Sequence, residues 1–381
     1  MNIGIIGVGK LGLAYALVLE ENGFHVFASS YKQEYVENLN KKITDSLEPG
    51  IVEKLKKSKN IEFTIDNHKV IQNCDVVYVM VATPSTPNGD YDISAVRSVV
   101  QDFLDYSDSV ANKILIIGST VNPGDCTQIQ NLVRHRNIHV VYCPTFAAQG
   151  TVLQDLRNPH TMSLGTTNET VARQCQDIFL KIIQEDTPIY VMDPTTAEIL
   201  KLAGNCRATM EISFMNMVGQ ILITNGLSKD IETANRYLSF IKKQVQWKYG
   251  FGYGGPCYPR DNRAFVHYAQ KIDMDYPLGR LVDDFNESHV EFITNHLIKD
   301  NHDRIPFYFD HVSYKKGVAL FEESHQLKVC KKLLHNGCAV YIEKTDFISP
   351  QIIEELSKEF QALVRFVKVD DLDEKVYKIH Y

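Results

Sequence analysis

Residues 2–23 read NIGIIGVGKLGLAYALVLEENG, and their pattern predicts how the N-terminal part of the chain folds. A β-branched run is followed by Gly7, Gly9 and Gly12, where a helical apolar pattern begins. The first glycine permits a tight turn, the second lets the backbone approach a pyrophosphate, and the third lets helix and strand pack closely. This placement favours a dinucleotide site at the start of the helix over glycines that serve packing alone.

The next predicted strand decides which dinucleotide binds. Such a strand usually ends in an acid that binds the adenosine ribose. Here FHVFASSYK (residues 24–32) ends the strand in Ser29 and Ser30, with Lys32 beyond. A serine and a lysine suit a 2′-phosphate, and the alternative is a solvated loop that binds NAD weakly. The sequence therefore predicts NAD and leaves NADP open.

Composition limits the class of protein. The 381 residues predict two or three domains, and 44% hydrophobic and 23% charged residues are typical of a soluble globular protein. A net charge of -7 without long basic runs argues against nucleic acid as a partner. No apolar stretch is long enough for a membrane span, and the N-terminus is unlike a signal peptide. The eight cysteines contain no CxxC pair, so we expect no disulfide framework, no metal site and a cytoplasmic location.

Strand and helix patterns alternate along the chain and predict an α/β protein. The fold class that we expect is an N-terminal Rossmann-like, doubly wound parallel sheet, a long central helix and a smaller C-terminal Rossmann-like α/β domain. The helix is predicted over residues 197–225, with Thr195 and Thr196 as cap candidates, and such a long helix usually joins domains or forms a subunit interface. The predicted domains are residues 1–194, 195–300 and 301–381.

A second stretch, YGFGYGGPCYPRDNRAF (residues 249–265), is too broken by glycine and proline for a regular helix or strand. It contains Cys257. A lone cysteine is more often a buried apolar residue than a nucleophile. The Gly-Gly-Pro flank offers Cys257 no regular element to pack in, which favours a nucleophile.

Further motifs, in order along nearly the whole chain, resemble those of the UDP-glucose/GDP-mannose dehydrogenase family. The segments LEPGIVEKLKK, VATPSTPNGDYD and STVNPGD are similar to its EPG, V-x-T-P-x and S-T-V-x-P-G motifs. The segment AEILKLAGNCRAT, with Glu198, Lys201 and Asn205, resembles the family's E-x-x-K-x-x-x-N helix. FGYGGPCYPRD resembles the most specific motif, F-G-Y-G-G-x-C-x-P-K-D.

The resemblance implies a reaction and a role for each residue. Members of the family oxidise the primary alcohol of a sugar nucleotide twice through a cysteine thiohemiacetal and thioester, which makes Cys257 the nucleophile. Lys201 would balance the oxyanion charge, and Asn205 would donate a hydrogen bond to the same oxygen. Asp261 would orient or activate water. The substrate is a UDP-sugar, by default UDP-glucose, and the implied assembly is a homodimer through the central helix.

The same resemblance assigns the binding residues. The cofactor-binding residues are predicted to be Gly7, Gly9, Lys10, Leu11, Gly12, Ser30, Thr83, Thr120 and Arg260. The substrate-binding residues are predicted to be Thr145, Gln149, Lys201, Asn205, Tyr249, Phe251, Gly252, Tyr253, Gly254 and Lys315.

The chain departs from the family at several of these positions. CPTFAAQG stands where the family has N-P-E-F-L-x-E-G, so Cys143 replaces the asparagine, and Thr145 and Gln149 replace two glutamates. In the family those carboxylates are credited with the acid–base work of hydrolysis and with substrate contact. A threonine or glutamine hydrogen bonds a sugar but does not take a proton from water near neutral pH.

Two further departures from the family lie near the cofactor-binding part of the predicted site. Arg260 replaces the family's lysine and changes the donor geometry. In YKKGVALFEESHQL, Leu320 and Glu322 replace an aspartate and a cofactor-contacting arginine, while Lys315 matches the family.

Three functions follow. The first is an active UDP-sugar dehydrogenase, the second a sugar-nucleotide-binding or regulatory protein whose redox site has decayed, and the third an oxidoreductase that stalls before thioester hydrolysis.

Overall fold

The computed structural model describes residues 1–106, 112–184, 186–242, 249–271, 273, 277–368 and 375–379. The chain divides into two compact units, Met1–Lys201 and Leu202–Tyr381. The division into three domains at residues 194 and 300 stays a prediction.

The first unit contains an eight-stranded sheet. Its strand order is β3-β2-β1-β4-β5-β6-β7-β8, and all neighbours are parallel except β6 and β7. The sequence pattern predicts five of these strands, in NIGIIG, HVFAS, DVVYVMVA, KILIIGS and IHVVY, which are β1, β2, β4, β5 and β6. It missed β3, β7 and β8. The strands are β1 (Asn2–Ile6), β2 (His25–Ser29), β3 (Ile61–Thr64), β4 (Val76–Val79), β5 (Ile114–Ile117), β6 (His139–Tyr142), β7 (Met162–Gly165) and β8 (Ile189–Met192).

Helices connect these strands and bury the sheet. The strands β1, β4 and β5 are almost wholly buried, as expected for parallel strands covered on both faces. The helices are α1 (Lys10–Glu21), α2 (Gln33–Asn40), α3 (Ile51–Lys57), α4 (Asn67–Asn73), α5 (Ser94–Asp105), α6 (Asp125–Val133), α7 (Val152–Arg157) and α8 (Glu169–Ile182).

The long helix α9 spans Pro194–Thr224. Thr195 and Thr196 were the predicted cap candidates, and this detail is wrong, because both lie inside the first helical turn. Their N–H groups donate to Oδ1 of Asp193, at 2.8 and 3.4 Å. Asp193 is therefore the capping residue, which also frees position 194 for proline at the first helical position.

The second unit combines helices with a smaller sheet. The sheet has the order β11-β10-β9-β12 with parallel neighbours, which confirms the predicted second α/β element. Its elements are α10 (Ile231–Lys242), α11 (Tyr258–Lys271), α12 (Pro277–Asp300), β9 (Phe307–Phe309), α13 (His325–His335), β10 (Val340–Glu343), α14 (Pro350–Phe360), β11 (Val364–Val367) and β12 (Tyr377–Lys378).

The topology places the candidate site of the first unit. The chain leaves β1 toward β2 on one side and returns to β4 on the other, so the strand order reverses between β1 and β4. Ligands of open α/β sheets bind at such a switch point, beyond the carboxyl ends of the strands. Gly7, Thr83, Thr120 and Thr145 all follow strands that end at this edge. Among the described helices, none is long and apolar enough to cross a membrane.

Candidate functional site

The glycine turn after β1 has the geometry that the sequence predicts for each of its three glycines. Gly7 has φ +102°, and a Cβ there would lie 2.6 Å from the carbonyl carbon of Met80. A Cβ on Gly12 would lie 2.5 Å from the Gly7 oxygen, so α1 and the turn are in direct backbone contact. A Cβ on Gly9 would meet no atom within 4 Å. Gly7 and Gly12 are therefore needed for packing, and Gly9 leaves open space.

That open space fits a dinucleotide diphosphate. Gly9 and Lys10 are exposed, and α1 begins at Lys10, so the first-turn N–H groups of the helix face the open side. A helix N-terminus at the β1–β4 switch point favours an anion both by hydrogen bonding and by its dipole. Leu11 packs against the core beneath. These residues fit the diphosphate of a nicotinamide dinucleotide.

The end of β2 lies beside this turn. The carbonyl of Ser29 accepts hydrogen bonds from the N–H groups of Gly7 and Val8, at 3.0 and 2.8 Å. Ser30 is half-buried, and Lys32 is exposed with its Nζ 5.7 Å from the ring centroid of Tyr31. Tyr31 itself is 87% exposed. This edge offers a hydroxyl, an aromatic face and a cation where related sites offer a carboxylate.

Lys201 is anchored in the first unit by Thr145 and Phe146. The residue is buried, and its Nζ donates to the Thr145 carbonyl at 3.0 Å. The same nitrogen lies 4.1 Å from the ring centroid of Phe146, within the range of a cation–π contact. The Thr145 hydroxyl donates to the Tyr15 hydroxyl at 3.2 Å. The structure therefore brings two predicted site residues together and adds Phe146, which the sequence analysis missed.

The segment CPTFAAQG (residues 143–150), which contains Thr145, is also held by the hydrophobic core and by Glu48. Cys143 is buried in the hydrophobic core, and burial raises the pKa of its thiol. Both carboxylate oxygens of Glu48 accept from the Gly150 N–H, at 2.7 and 2.9 Å. Gln149, next to Gly150, is half-buried. The glutamate of the EPG motif thus fixes the backbone that carries Gln149.

Glu198, the first residue of the E-x-x-K-x-x-x-N motif, caps another helix. Its side chain is fully buried, and its two oxygens accept from the N–H groups of Gly124 and Cys126, at 2.5 and 2.8 Å. These groups open α6. Burial raises the pKa of Glu198, and the two backbone hydrogen bonds oppose that rise. The motif glutamate therefore joins α9 to α6.

The second unit holds the remaining predicted catalytic residues. Cys257 is exposed and precedes α11, and its carbonyl accepts the first helical hydrogen bond, from the Asp261 N–H at 2.8 Å. Asp261 is fully buried. Its Oδ2 accepts from Asn205 Nδ2 at 2.6 Å, and its Oδ1 accepts from Arg260 Nε at 3.2 Å. Three predicted site residues thus form one hydrogen-bonded group at the start of the helix that follows Cys257.

The glycines before Cys257 are packed tightly. A Cβ on Gly252 would lie 2.1 Å from Asn286 Oδ1, and one on Gly254 would lie 2.3 Å from the Glu323 carbonyl oxygen. Tyr249 and Tyr253 are buried, and Phe251 packs against the core of the second unit. These glycines serve backbone packing, which the resemblance had not indicated.

Lys315 and Glu322 lie on the surface of the second unit. Glu322 contributes its carbonyl, which accepts from the Gly255 N–H at 3.0 Å, and its side chain is exposed. The neighbouring Glu323 forms ion pairs with Arg263 and Lys328, at 2.7 and 2.6 Å.

The convergence of Cys257 and Lys201 on one reacting carbon stays a prediction, as do the roles of the individual residues.

Comparison of the sequence with protein-family models identifies the family to which this chain belongs. Residues 1–183 match the UDP-glucose/GDP-mannose dehydrogenase family, NAD binding domain, and residues 195–288 match its central domain. An uncharacterized protein of Methanocaldococcus jannaschii is 30% identical over 281 residues, which cover 72% of this chain and 31% of that protein. The UDP-glucose 6-dehydrogenase YwqF of Bacillus subtilis is 25% identical over 74% of this chain and 65% of its own length. The chain thus spans less than two thirds of both relatives.

Solved structures share the fold. A UDP-glucose dehydrogenase from Pyrobaculum islandicum superposes with a TM-score of 0.79 at 22% identity, covering 100% of this chain and 86% of that one. A UDP-D-ManNAc dehydrogenase from Pyrococcus horikoshii gives a TM-score of 0.77 at 19% identity, covering 100% and 99%.

We expect Glu198→Ala to destabilise the first unit by about 2–4 kcal/mol, because it leaves two N–H groups at the start of α6 without their buried acceptor. The matched control is Glu169→Ala, which removes an exposed ion pair with Arg173 and should cost at most about 0.5 kcal/mol. Urea denaturation followed by circular dichroism measures both. Equal effects of the two substitutions would contradict the capping role.

Proposed function

Because the chain belongs to the UDP-glucose/GDP-mannose dehydrogenase family, we propose that it oxidises the primary alcohol of a UDP-sugar, by default UDP-glucose to UDP-glucuronate. The observation that carries this proposal is the group around Cys257. An exposed thiol stands at the start of a helix, and the buried Asp261 four residues later is hydrogen bonded to Asn205. The partial positive charge of a helix N-terminus stabilises a thiolate.

The glycine turn would hold a nicotinamide dinucleotide, through Gly9 and the N–H groups that open α1. When bound, such a cofactor would accept the hydride that is released in each of the two oxidations. In the first oxidation the alcohol carbon loses a hydride and the hydroxyl group loses a proton to solvent, which leaves an aldehyde. The Cys257 thiolate then forms a C–S bond to the aldehyde carbon, and the carbonyl electron pair moves onto oxygen. Loss of a hydride from this adduct leaves a thioester, and water cleaves it to the carboxylate and the free thiolate.

Lys201 and Asn205 would stabilise the oxygen that gains charge in this sequence. The Lys201 ammonium is held by the Thr145 carbonyl and the Phe146 ring, so its position is set before substrate binds. The Asn205 amide nitrogen carries two hydrogens. One is donated to Asp261, and the other suits a substrate oxygen. Both groups would act as preorganised donors to the oxyanion.

One observation favours a slow last step. Thr145 donates its hydroxyl hydrogen to Tyr15, and neither Thr145 nor Gln149 is a base. Asp261 is the carboxylate in the group around Cys257, and its two oxygens accept hydrogen bonds from Asn205 and Arg260. The second candidate is therefore an oxidoreductase whose thioester accumulates.

On mixing the protein with UDP-glucose and cofactor, we expect a fast burst of reduced nicotinamide and then a slow steady rate. General-base assistance is worth about 100- to 10,000-fold, so its loss makes hydrolysis rate-limiting. Thr145→Glu combined with Gln149→Glu should raise the steady rate more than the burst. Intact-mass spectrometry should find an adduct on Cys257.

The adduct should be absent from Cys257→Ser and present in the matched control Cys338→Ser. A linear time course without adduct would show that the missing glutamates are dispensable. No reduced cofactor at all would favour a sugar-nucleotide-binding or regulatory protein.

For the cofactor, we propose that the predicted NAD site also takes NADP, the alternative left open by the sequence, and that Ser30 and Lys32 accept its 2′-phosphate. A charge-assisted contact to phosphate contributes about 1.5–3 kcal/mol, so NADP should bind about 10- to 150-fold more tightly than NAD. Lys32→Met should remove most of this difference, whereas Lys41→Met, at another exposed lysine, should not. Calorimetric titration of the three proteins with NADP and with NAD measures the three pairs of affinities. A clear preference of the unaltered protein for NAD would reject the proposal.

The central helix suits a homodimer. Phe214, Met217 and Ile221 recur at intervals of three and four residues on α9 and are 52%, 40% and 54% exposed. Such an apolar stripe on a helix is typical of an interface. Light scattering at micromolar concentration should give a dimer mass, and Met217→Glu with Ile221→Glu should give a monomer. Leu180→Glu, at an exposed leucine of α8, should remain a dimer, and a monomeric unaltered protein would contradict the proposal.

A further inference from the structure

The chain before Cys257 has no regular secondary structure of its own. We call residues 249–257 the cysteine loop. Its glycines have wide conformational freedom, so an ordered backbone here requires groups outside the loop to hold it. Those groups are side chains of the helices α9, α10 and α12, together with the Glu322 carbonyl, which accepts from the Gly255 N–H.

Asn286 on α12 makes the central contact. Its Oδ1 accepts from the Tyr253 N–H at 3.0 Å, and its Nδ2 donates to the Tyr253 carbonyl at 3.0 Å. Asn286 is buried, and Gly252 lies directly against it. One side chain thus satisfies both polar backbone groups of Tyr253, as a neighbouring strand would.

His289, one turn further along α12, holds the start of the cysteine loop. Its Nε2–H donates to the Gly250 carbonyl at 2.8 Å, and its Nδ1 accepts from Gln220 at 2.7 Å. This pattern requires a neutral imidazole, and burial lowers the pKa of His289 accordingly. The Asn286 carbonyl in turn accepts from His325 Nε2 at 3.1 Å.

Two further asparagines complete the start of the loop. Asn216 on α9 accepts from the Gly250 N–H, and Asn235 on α10 accepts from the Tyr249 N–H, each at 3.1 Å. Asn286 differs from both because it holds Tyr253, only four residues before the thiol. Slack at Tyr253 would therefore pass to Cys257 past one further backbone hydrogen bond, from the Gly255 N–H to the Glu322 carbonyl at 3.0 Å.

We propose that Asn286 is a positioning residue for Cys257, which fixes the thiol by holding both backbone groups of Tyr253. The catalytic consequence rests on the proposed function, whereas the positioning itself does not. Misplacement of a reacting group by about 1 Å costs about 100-fold in rate. Removal of the Asn286 amide should therefore lower kcat for UDP-sugar oxidation by about 10- to 100-fold and leave the KM for the nicotinamide cofactor unchanged.

The mobility of Cys257 tests the proposal without any need for activity. Cys257 is exposed, Cys338 is half-buried and the other six cysteines are buried, so a methanethiosulfonate nitroxide reacts selectively with Cys257 in a Cys338→Ser background. The labelled parent should give a broad spectrum of an immobilised nitroxide. Asn286→Ala should give a narrower spectrum, with the mobile component raised several-fold, and faster hydrogen exchange at Tyr253.

Asn301, the residue that directly follows α12, offers a matched control. Its Nδ2 donates to the Ile305 carbonyl at 2.7 Å, and its Oδ1 accepts from the Ile305 N–H at 3.2 Å, so it holds another loop in the same way. Asn301→Ala should leave the nitroxide spectrum unchanged. An unchanged spectrum in Asn286→Ala, or an equal change in Asn301→Ala, would overturn the proposal.

Asn286→Asp is a second variant, which tests the proposal if Asn286→Ala does not fold. Asn286→Asp keeps the acceptor for the Tyr253 N–H and loses the donor to its carbonyl, so the nitroxide should become more mobile, by less than in Asn286→Ala. An Asp variant with the parent spectrum would again overturn the proposal. A mobile nitroxide in a protein that never reduces a nicotinamide would leave the positioning intact and reject the proposed function.

Discussion

The first unit depends on a backbone contact between the Gly7 carbonyl and the α-carbon of Gly12, where a Cβ would lie 2.5 Å from oxygen. This contact sets α1 directly against the carboxyl end of β1. It therefore points the helix N-terminus into the switch point between β1 and β4, where Gly9 leaves space. A side chain at position 12 would push the helix away and move its N–H groups off the anion that they suit.

The second unit contains the cysteine loop, which is ordered without regular secondary structure. Polar backbone groups of the loop are hydrogen bonded to the side chains of Asn216, Asn235, Asn286 and His289. Buried backbone groups almost always need such partners. Because these partners are uncharged, the loop before Cys257 is held without adding a fixed charge beside the thiol.

Much of the fold follows from local pattern. The glycine turn, the apolar strands and the long helix α9 were all predictable, because each depends on neighbours in sequence. The strands β3, β7 and β8 were missed since their residues are short mixed runs that become strands only beside an existing sheet. The roles of Glu198 and Asn286 could not be predicted, because each side chain serves backbone more than 30 residues away.

The buried histidines around the cysteine loop make unfolding of the second unit depend on pH. Burial lowers the pKa of His325 to about 3 and lowers that of His289 as well, whereas an unfolded histidine titrates near 6.5. Between those limits the unfolded chain binds more protons than the folded one. Unfolding of the second unit in mildly acidic solution must therefore take up protons. The stabilisation that the neutral imidazoles contribute is complete above pH 6.5 and declines as the pH falls toward 3.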